Sequence, residues 1–195
     1  IHTSQTMMRG MAQDTSNWMM KGIEPLRYYL NSTECIEASQ TTVLEALSTG
    51  TTTFGEYAVP EHIDLMSEFY YNIGVRANYS MLIYGMKKKK ENNILDLYEF
   101  DETYSEYCLK KNLEFYEKWK YRPRTTLNMG VHAPDTLSKE MLIRCKKAAK
   151  EYGLKINMHV AQGDREIYQV TTRYGKRSIP FLDELGYLDE DLIAV

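Results

Sequence analysis

Five short runs rich in β-branched and aromatic residues, separated by longer stretches of helical periodicity, constrain this chain more than any other feature. They are residues 51–57 (TTTFGEY) after Gly50, 75–83 (VRANYSMLI) after Gly74, 125–131 (TTLNMGV) after Pro123, 155–160 (KINMHV) after Gly153, and a last run, LIAV, beginning at Leu192. Runs of this length and composition behind a breaker are strand signals. The stretches between them read as helices. Residues 33–48 place Ile36, Val43, Leu44 and Leu47 at near-helical spacing behind a cap at Asn31 or Ser32. Pro60 opens a second helix that Gly74 ends. Residues 101–119 carry Tyr104, Tyr107, Cys108, Leu113 and Tyr116 around a charged face. Residues 138–152 have Ser138 as N-cap, Met141, Leu142, Cys145, Ala148 and Ala149 as the inner stripe, and Gly153 as the stop. Residues 178–185 form a final short helix ahead of Gly186. Strand and helix in alternation predict an α/β fold with a parallel sheet under covering helices. Periodicity alone leaves a doubly wound sheet and a barrel both open. No repeat or linker divides the 195 residues, so one domain is expected, and the lysines from Lys87 to Lys90 read as a solvated loop.

Several classes of function are excluded early. A net charge of −3 offers no excess of cations for phosphate counterion release, which argues against nucleic acid and membrane surfaces as partners. Cys35, Cys108 and Cys145 are widely spaced and odd in number, so they read as free thiols in a reducing cytoplasm rather than as a disulfide framework or zinc knuckle.

Chemistry concentrates in the histidines. His132 falls just past the third run and His159 at the end of the fourth. In a parallel α/β protein the C-terminal ends of strands converge on the functional face, and a rigid strand end aims an imidazole at a metal or a proton-transfer partner. His62, within the helical stretch after Pro60, reads as exposed and uninvolved.

Blocks of sequence in order along the whole chain resemble the amidohydrolases of the chlorohydrolase and S-adenosylhomocysteine/methylthioadenosine deaminase group. His2 with Arg9 seven residues later is similar to the second histidine of that group's HxH motif, and Trp18 and Pro25 match the region that follows. Residues 48–54 (STGTTTF), 74–77 (GVRA), 132–138 (HAPDTLS) and 158–161 (MHVA) resemble the group's successive strand blocks. The resemblance implies an incomplete (β/α)₈ TIM-type barrel, from the end of barrel strand one to the start of strand six, where a full barrel needs about 250 residues. It implies an internal piece, with a histidine immediately before Ile1, another just beyond Val195 and an aspartate near the eighth barrel strand, and the piece alone is expected to be inactive and prone to associate through open strand edges.

The implied activity is metal-dependent hydrolysis of a non-peptide C–N bond or ring substituent on a nitrogen heterocycle. The implied cofactor is one divalent metal ion, zinc, with iron as the alternative. His2 and His159 take the place of metal ligands and His132 that of the residue orienting the substrate. The partner is then a small heterocycle, the location cytoplasmic, and a homo-oligomer of the full-length protein is compatible with the group. One position departs from the pattern: Gln162 stands where the group carries a proton-shuttling glutamate. A carboxamide has no titratable proton at neutral pH. Three readings stay open. Glu166 or Asp164, in the loop that follows, does the proton work; or the reaction needs little such help and Gln162 positions the water; or the protein is a ligand-binding relative without turnover. Arg27 and Met81 also replace residues used for adenosine recognition in the deaminases.

Overall fold

The computed structural model describes residues 1–14, 18–23, 31–87 and 96–195. Pro25, Arg27 and most of the lysine run lie outside the described residues. Five strands, β1 (Thr53–Ala58), β2 (Arg76–Ile83), β3 (Thr125–Val131), β4 (Ile156–Met158) and β5 (Leu192–Ala194), form one sheet in the order β1-β2-β3-β4-β5. Met129 faces Ile156 in the parallel β3–β4 pair, and Asn157 faces Ile193 in the parallel β4–β5 pair. A doubly wound sheet reverses direction and sets later strands on the far side of the first. This sheet advances without reversal, as a barrel wall does, and is a partial TIM-type barrel.

The helices are α1 (Ser32–Ser48), α2 (Pro60–Ile73), α3 (Glu102–Trp119), α4 (Lys139–Tyr152), α5 (Asp164–Tyr174) and α6 (Ser178–Glu184), with a 3₁₀ turn at Thr3–Met8 and a π turn at Met19–Ile23. Their ends follow the capping chemistry of the sequence. The Asn31 side chain accepts from Glu34 N, and Glu34 reaches back to Asn31 N at 2.8 Å, a complete capping box. Ser138 Oγ accepts from Met141 N at 3.2 Å, a cap worth about 1 kcal/mol. Gly74 and Gly153, at φ 85° and 64°, close α2 and α4 in the left-handed conformation that a Cβ disfavours.

Three expectations are corrected in whole or in part. Residues 163–166 do not lie in an extended loop, because α5 begins at Asp164. Its inward residues include Arg165, Glu166 and Gln169 beside Val170, so its buried stripe is largely polar and invisible to hydrophobic periodicity. On α3 the buried face is Ser105, Cys108, Leu109, Asn112, Phe115 and Trp119; of the expected stripe, Cys108 is buried and Tyr104, Leu113 and Tyr116 pack half-buried against the core, while Tyr107 is exposed. Asn112 is tolerated there because its Nδ2 donates to the Met81 carbonyl at 2.9 Å. His62 is half-buried rather than exposed. All three cysteines are buried free thiols.

The chain forms two compact units, one of Ile1–Tyr79 with Tyr121–Thr126, the other of Ser80–Lys120 with Leu127–Val195. In the first, the 3₁₀ turn packs on α1, which packs on α2 around Cys35, Ala38, Val43, Ile63, Met66 and Tyr70. In the second, Ile83, Met129, Val131, Ile156 and Met158 of the sheet meet Leu109, Leu142, Cys145, Val170, Phe181 and Leu182 of the helices. Among the described residues no helix is long and apolar enough to cross a membrane.

Candidate metal and substrate site

In the first unit, the start of the chain runs beside β1. Ile1 N donates to the Gly55 carbonyl at 2.7 Å, and the Ile1 carbonyl accepts from Tyr57 N at 2.9 Å. One residue bonded to positions j−1 and j+1 of its neighbour is the parallel-ladder pattern. The next residue is His2, whose Nδ1 lies 2.7 Å from the Tyr57 carbonyl oxygen. A carbonyl only accepts, so Nδ1 carries the proton and Nε2 the lone pair. This is the tautomer-fixing contact that metal-binding imidazoles use.

Below His2 lies a buried polar knot. Glu56, wholly buried on β1, accepts from Thr3 N at 3.3 Å through one oxygen, and from Thr3 Oγ1 at 2.6 Å and Tyr70 Oη at 2.5 Å through the other. Thr3 Oγ1 also meets Ser39 Oγ and Tyr70 Oη, and Ser39 donates to the Cys35 carbonyl. Burial pushes the Glu56 carboxyl above the ordinary carboxylate range, opposed by the Thr3 and Tyr70 hydrogen bonds. The Glu56 clamp holds the residue next to His2.

In the second unit, backbone bonds fix two histidines at consecutive strand ends. His132 N donates to the Ile83 carbonyl, and His159 N to the His132 carbonyl, each at 3.0 Å. The two rings stand edge to face with centroids 5.7 Å apart, and Tyr84 lies 6.0 Å from His132. His132 Nδ1 is 3.2 Å from Thr136 Oγ1, whose own proton goes to the Ala133 carbonyl at 3.1 Å. Nδ1 of His132 is therefore the donor and Nε2 again holds the lone pair. Burial lowers the pKa of His159, which favours the neutral ring that metals bind. Met81 is buried on β2.

The loop from β4 to α5 is held from beneath. Ala161 sits at φ 60°, a left-handed conformation that costs a non-glycine residue roughly 1 kcal/mol or more. Both oxygens of Glu166 hold it there: one accepts from Ala161 N and the other from Gln162 N, each at 2.9 Å, with Glu166 wholly buried in the first turn of α5. Asp164 is exposed. The Gln162 Oε1 accepts from Arg165 Nη2 at 2.9 Å. Arg165 is itself buried against Asp135, with Nε 3.0 Å from Oδ2 and Nη2 3.4 Å from Oδ1. Burial pushes the Asp135 carboxyl up to about 6, with Arg165 opposing the rise.

The structure therefore brings His132, His159, Gln162 and Glu166 to one end of the second unit, and in the first sets His2 beside the Tyr57 carbonyl of β1. Sequence reasoning missed Glu56, Asp135 and Arg165. The available signal for Glu56 was a carboxylate inside an otherwise apolar buried strand. For the Asp135–Arg165 pair no signal existed, since the partners are 30 residues apart. Among the described residues no group of three or more His, Cys, Asp or Glu gathers so as to hold a metal. The His2 ring, its Nδ1 held by the Tyr57 carbonyl, and the His159 ring, its pKa lowered by burial, nonetheless fit the donor chemistry that zinc requires.

Comparison with known proteins gives these observations a context. The sequence model of the amidohydrolase family matches residues 1–195. A 5′-deoxyadenosine deaminase of Methanopyrus kandleri is 33% identical over 99% of this chain and 42% of its own length. A 5-methylthioadenosine/S-adenosylhomocysteine deaminase of Thermococcus sibiricus is 30% identical over 99% of this chain and 43% of its own. Thus the chain spans less than half the length of these curated relatives. Among solved structures, a zinc-bound adenosine deaminase from Xanthomonas campestris superposes with a TM-score of 0.83 at 21% identity, covering 99% of this chain and 42% of that one. A zinc complex of an atrazine chlorohydrolase from Arthrobacter aurescens superposes at 0.80 with 15% identity, covering 99% and 46%.

Proposed function

This chain belongs to the amidohydrolase family, and we infer that it forms part of a zinc-dependent hydrolase that acts on a ring substituent or exocyclic C–N bond of a nitrogen heterocycle. The observation that carries this reading is the pair His132 and His159, locked by backbone bonds at the ends of β3 and β4 with their rings edge to face. His159, at the end of β4, and in the other unit His2, beside β1 with Nδ1 held by the Tyr57 carbonyl, are assigned as metal ligands. When bound, the metal supplies a Lewis acid that makes water nucleophilic at neutral pH. His132, with its Nε2 lone pair fixed by Thr136, accepts a hydrogen bond from substrate and orients it. Glu166 is assigned to anchoring the loop, since both its oxygens are engaged by backbone N–H groups, and Gln162 to contacting the ligand. The same reading carries a small heterocyclic partner and a cytoplasmic location, with residues 1–195 as one part of a larger barrel domain.

A second reading, a ligand-binding relative without turnover, draws on Gln162 alone, which can neither take nor give a proton. Metal analysis and a turnover screen of purine nucleosides and chlorinated heterocycles, run on the full-length protein, separate the two. About one zinc per chain, lost in His2→Ala and His159→Ala, together with turnover of a heterocycle supports the hydrolase. Zinc-free protein that binds a heterocycle unchanged sinks it in favour of the second reading.

A further inference from the structure

We propose that the buried Asp135–Arg165 pair is a positioning device that locks the Gln162 carboxamide with its N–H₂ end toward the ligand, so that this position donates hydrogen bonds and shuttles no proton. The proposal rests on the functional reading above for its consequence, and on geometry for its premise. Arg165 has donors and no acceptor, so the Gln162 atom 2.9 Å from its Nη2 is the oxygen, and the amide orientation is unambiguous. Arg165 cannot swing away without leaving Asp135, wholly buried, without its counter-charge. The backbone of Gln162 is pinned separately by Glu166. Nε2 of Gln162 donates to nothing among the described residues, and the side chain is partly exposed.

The chemical consequence concerns the leaving group. Hydrolysis of a ring chloride forms a C–O bond from water and breaks C–Cl, the electron pair leaving with chloride. One water proton stays on the product and the other passes to solvent. Displacing an amine forms the same C–O bond, but the departing nitrogen must take up a proton as C–N breaks. A carboxamide locked as donor can hydrogen-bond a ring nitrogen, yet has no proton to deliver at neutral pH. General acid help of this kind is worth about 10² to 10⁴ in rate. The structure thus selects substrates whose substituent departs as a stable anion over those that release ammonia.

Restoring the carboxylate does not by itself undo this. Gln162→Glu sets a carboxylate beside Arg165, whose charge lowers its proton affinity and so weakens it as the base that must take the water proton before passing it to the departing nitrogen.

Two measurements on the full-length, zinc-loaded protein test the proposal. The first is independent of activity: side-chain ¹⁵N labelling of glutamine, with the Gln162 signal identified through Gln162→Leu. The wild type gives one sharp, slowly exchanging N–H₂ pair. The double variant Asp135→Asn/Arg165→Met removes both buried charges together, and so avoids an unpaired ion. It moves that pair to free-amide values; an unchanged pair overturns the lock. The second compares 5′-deoxyadenosine with 6-chloropurine 5′-deoxyriboside, which share one product and differ only in leaving group. The expected kcat/KM favours the chloride at least about a hundredfold. Gln162→Glu raises turnover of the amine only when combined with the double variant. Equal rates, or recovery by Gln162→Glu alone, overturn the proposal. Turnover of neither compound nor of any heterocycle in the screen above, with the amide signal behaving as described, overturns the hydrolase reading and its leaving-group consequence and leaves the lock standing.

Discussion

Replacing Glu56 probes whether the knot beneath His2 is built around a neutral acid. Three hydroxyl protons, those of Thr3, Ser39 and Tyr70, serve five oxygen–oxygen contacts: Thr3–Ser39, Thr3–Glu56, Thr3–Tyr70, Tyr70–Glu56 and Ser39–Cys35. With Glu56 ionised, three of these contacts hold a proton. With Glu56 protonated, four do. Glu56→Gln, its Oε1 kept toward Thr3 N, supplies two amide protons where Tyr70 and Thr3 approach, and every contact is served. Because burial raises the carboxyl, Glu56 favours the fold most fully below its unfolded pKa of about 4.5, and that contribution is lost as pH rises through the folded value. At pH 7 Glu56→Gln is therefore expected to lie within about 1 kcal/mol of the wild type or above it. Glu56→Leu orphans the buried Thr3 N–H and breaks the remaining bonds, and is expected to cost about 2 to 4 kcal/mol. Urea unfolding of the full-length protein and both variants, at pH 7 and at pH 5, measures this. Wild type should gain on Glu56→Gln at the lower pH. A Glu56→Gln variant as damaged as Glu56→Leu at pH 7 would refute the neutral-acid reasoning.

Further outcomes are expected elsewhere. Glu166→Ala removes the acceptor of two part-buried backbone N–H groups, and should cost about 1 to 3 kcal/mol and speed amide exchange at Ala161 and Gln162; unchanged exchange there would deny the anchoring role. Leu142→Ala, at a wholly buried position in the second unit, should cost about 2 to 5 kcal/mol, whereas Leu65→Ala, 55% exposed, should stay within about 0.5 kcal/mol in the same thermal melts. Chelation of the full-length protein should lower its melting temperature, and readdition of zinc should restore it in the wild type but not in His159→Ala. A chelator-insensitive melt would count against a resident metal.

Much of this protein is legible in its amino-acid sequence. Strand runs behind Gly50, Gly74, Pro123 and Gly153, and helix starts at Asn31, Pro60 and Ser138, are local matters of backbone freedom and capping, so residue identity decides them. The placement of His132 and His159 at strand ends followed from the same local pattern. Where the buried stripe turned polar, the pattern went silent: α5 hides Arg165, Glu166 and Gln169 on its inner face, and α3 hides Ser105 and Asn112. Those residues are buried because partners far along the chain satisfy them, as Met81 does for Asn112 and Asp135 for Arg165. The sequence by itself determined the alternation of strand and helix and the residue types at the strand ends. Tertiary structure alone decided that the sheet advances as a barrel wall, that His2 holds its proton on Nδ1, and that Gln162 turns its oxygen to Arg165. Each of these depends on a hydrogen-bond partner brought close only by folding, and no local preference encodes which partner that is.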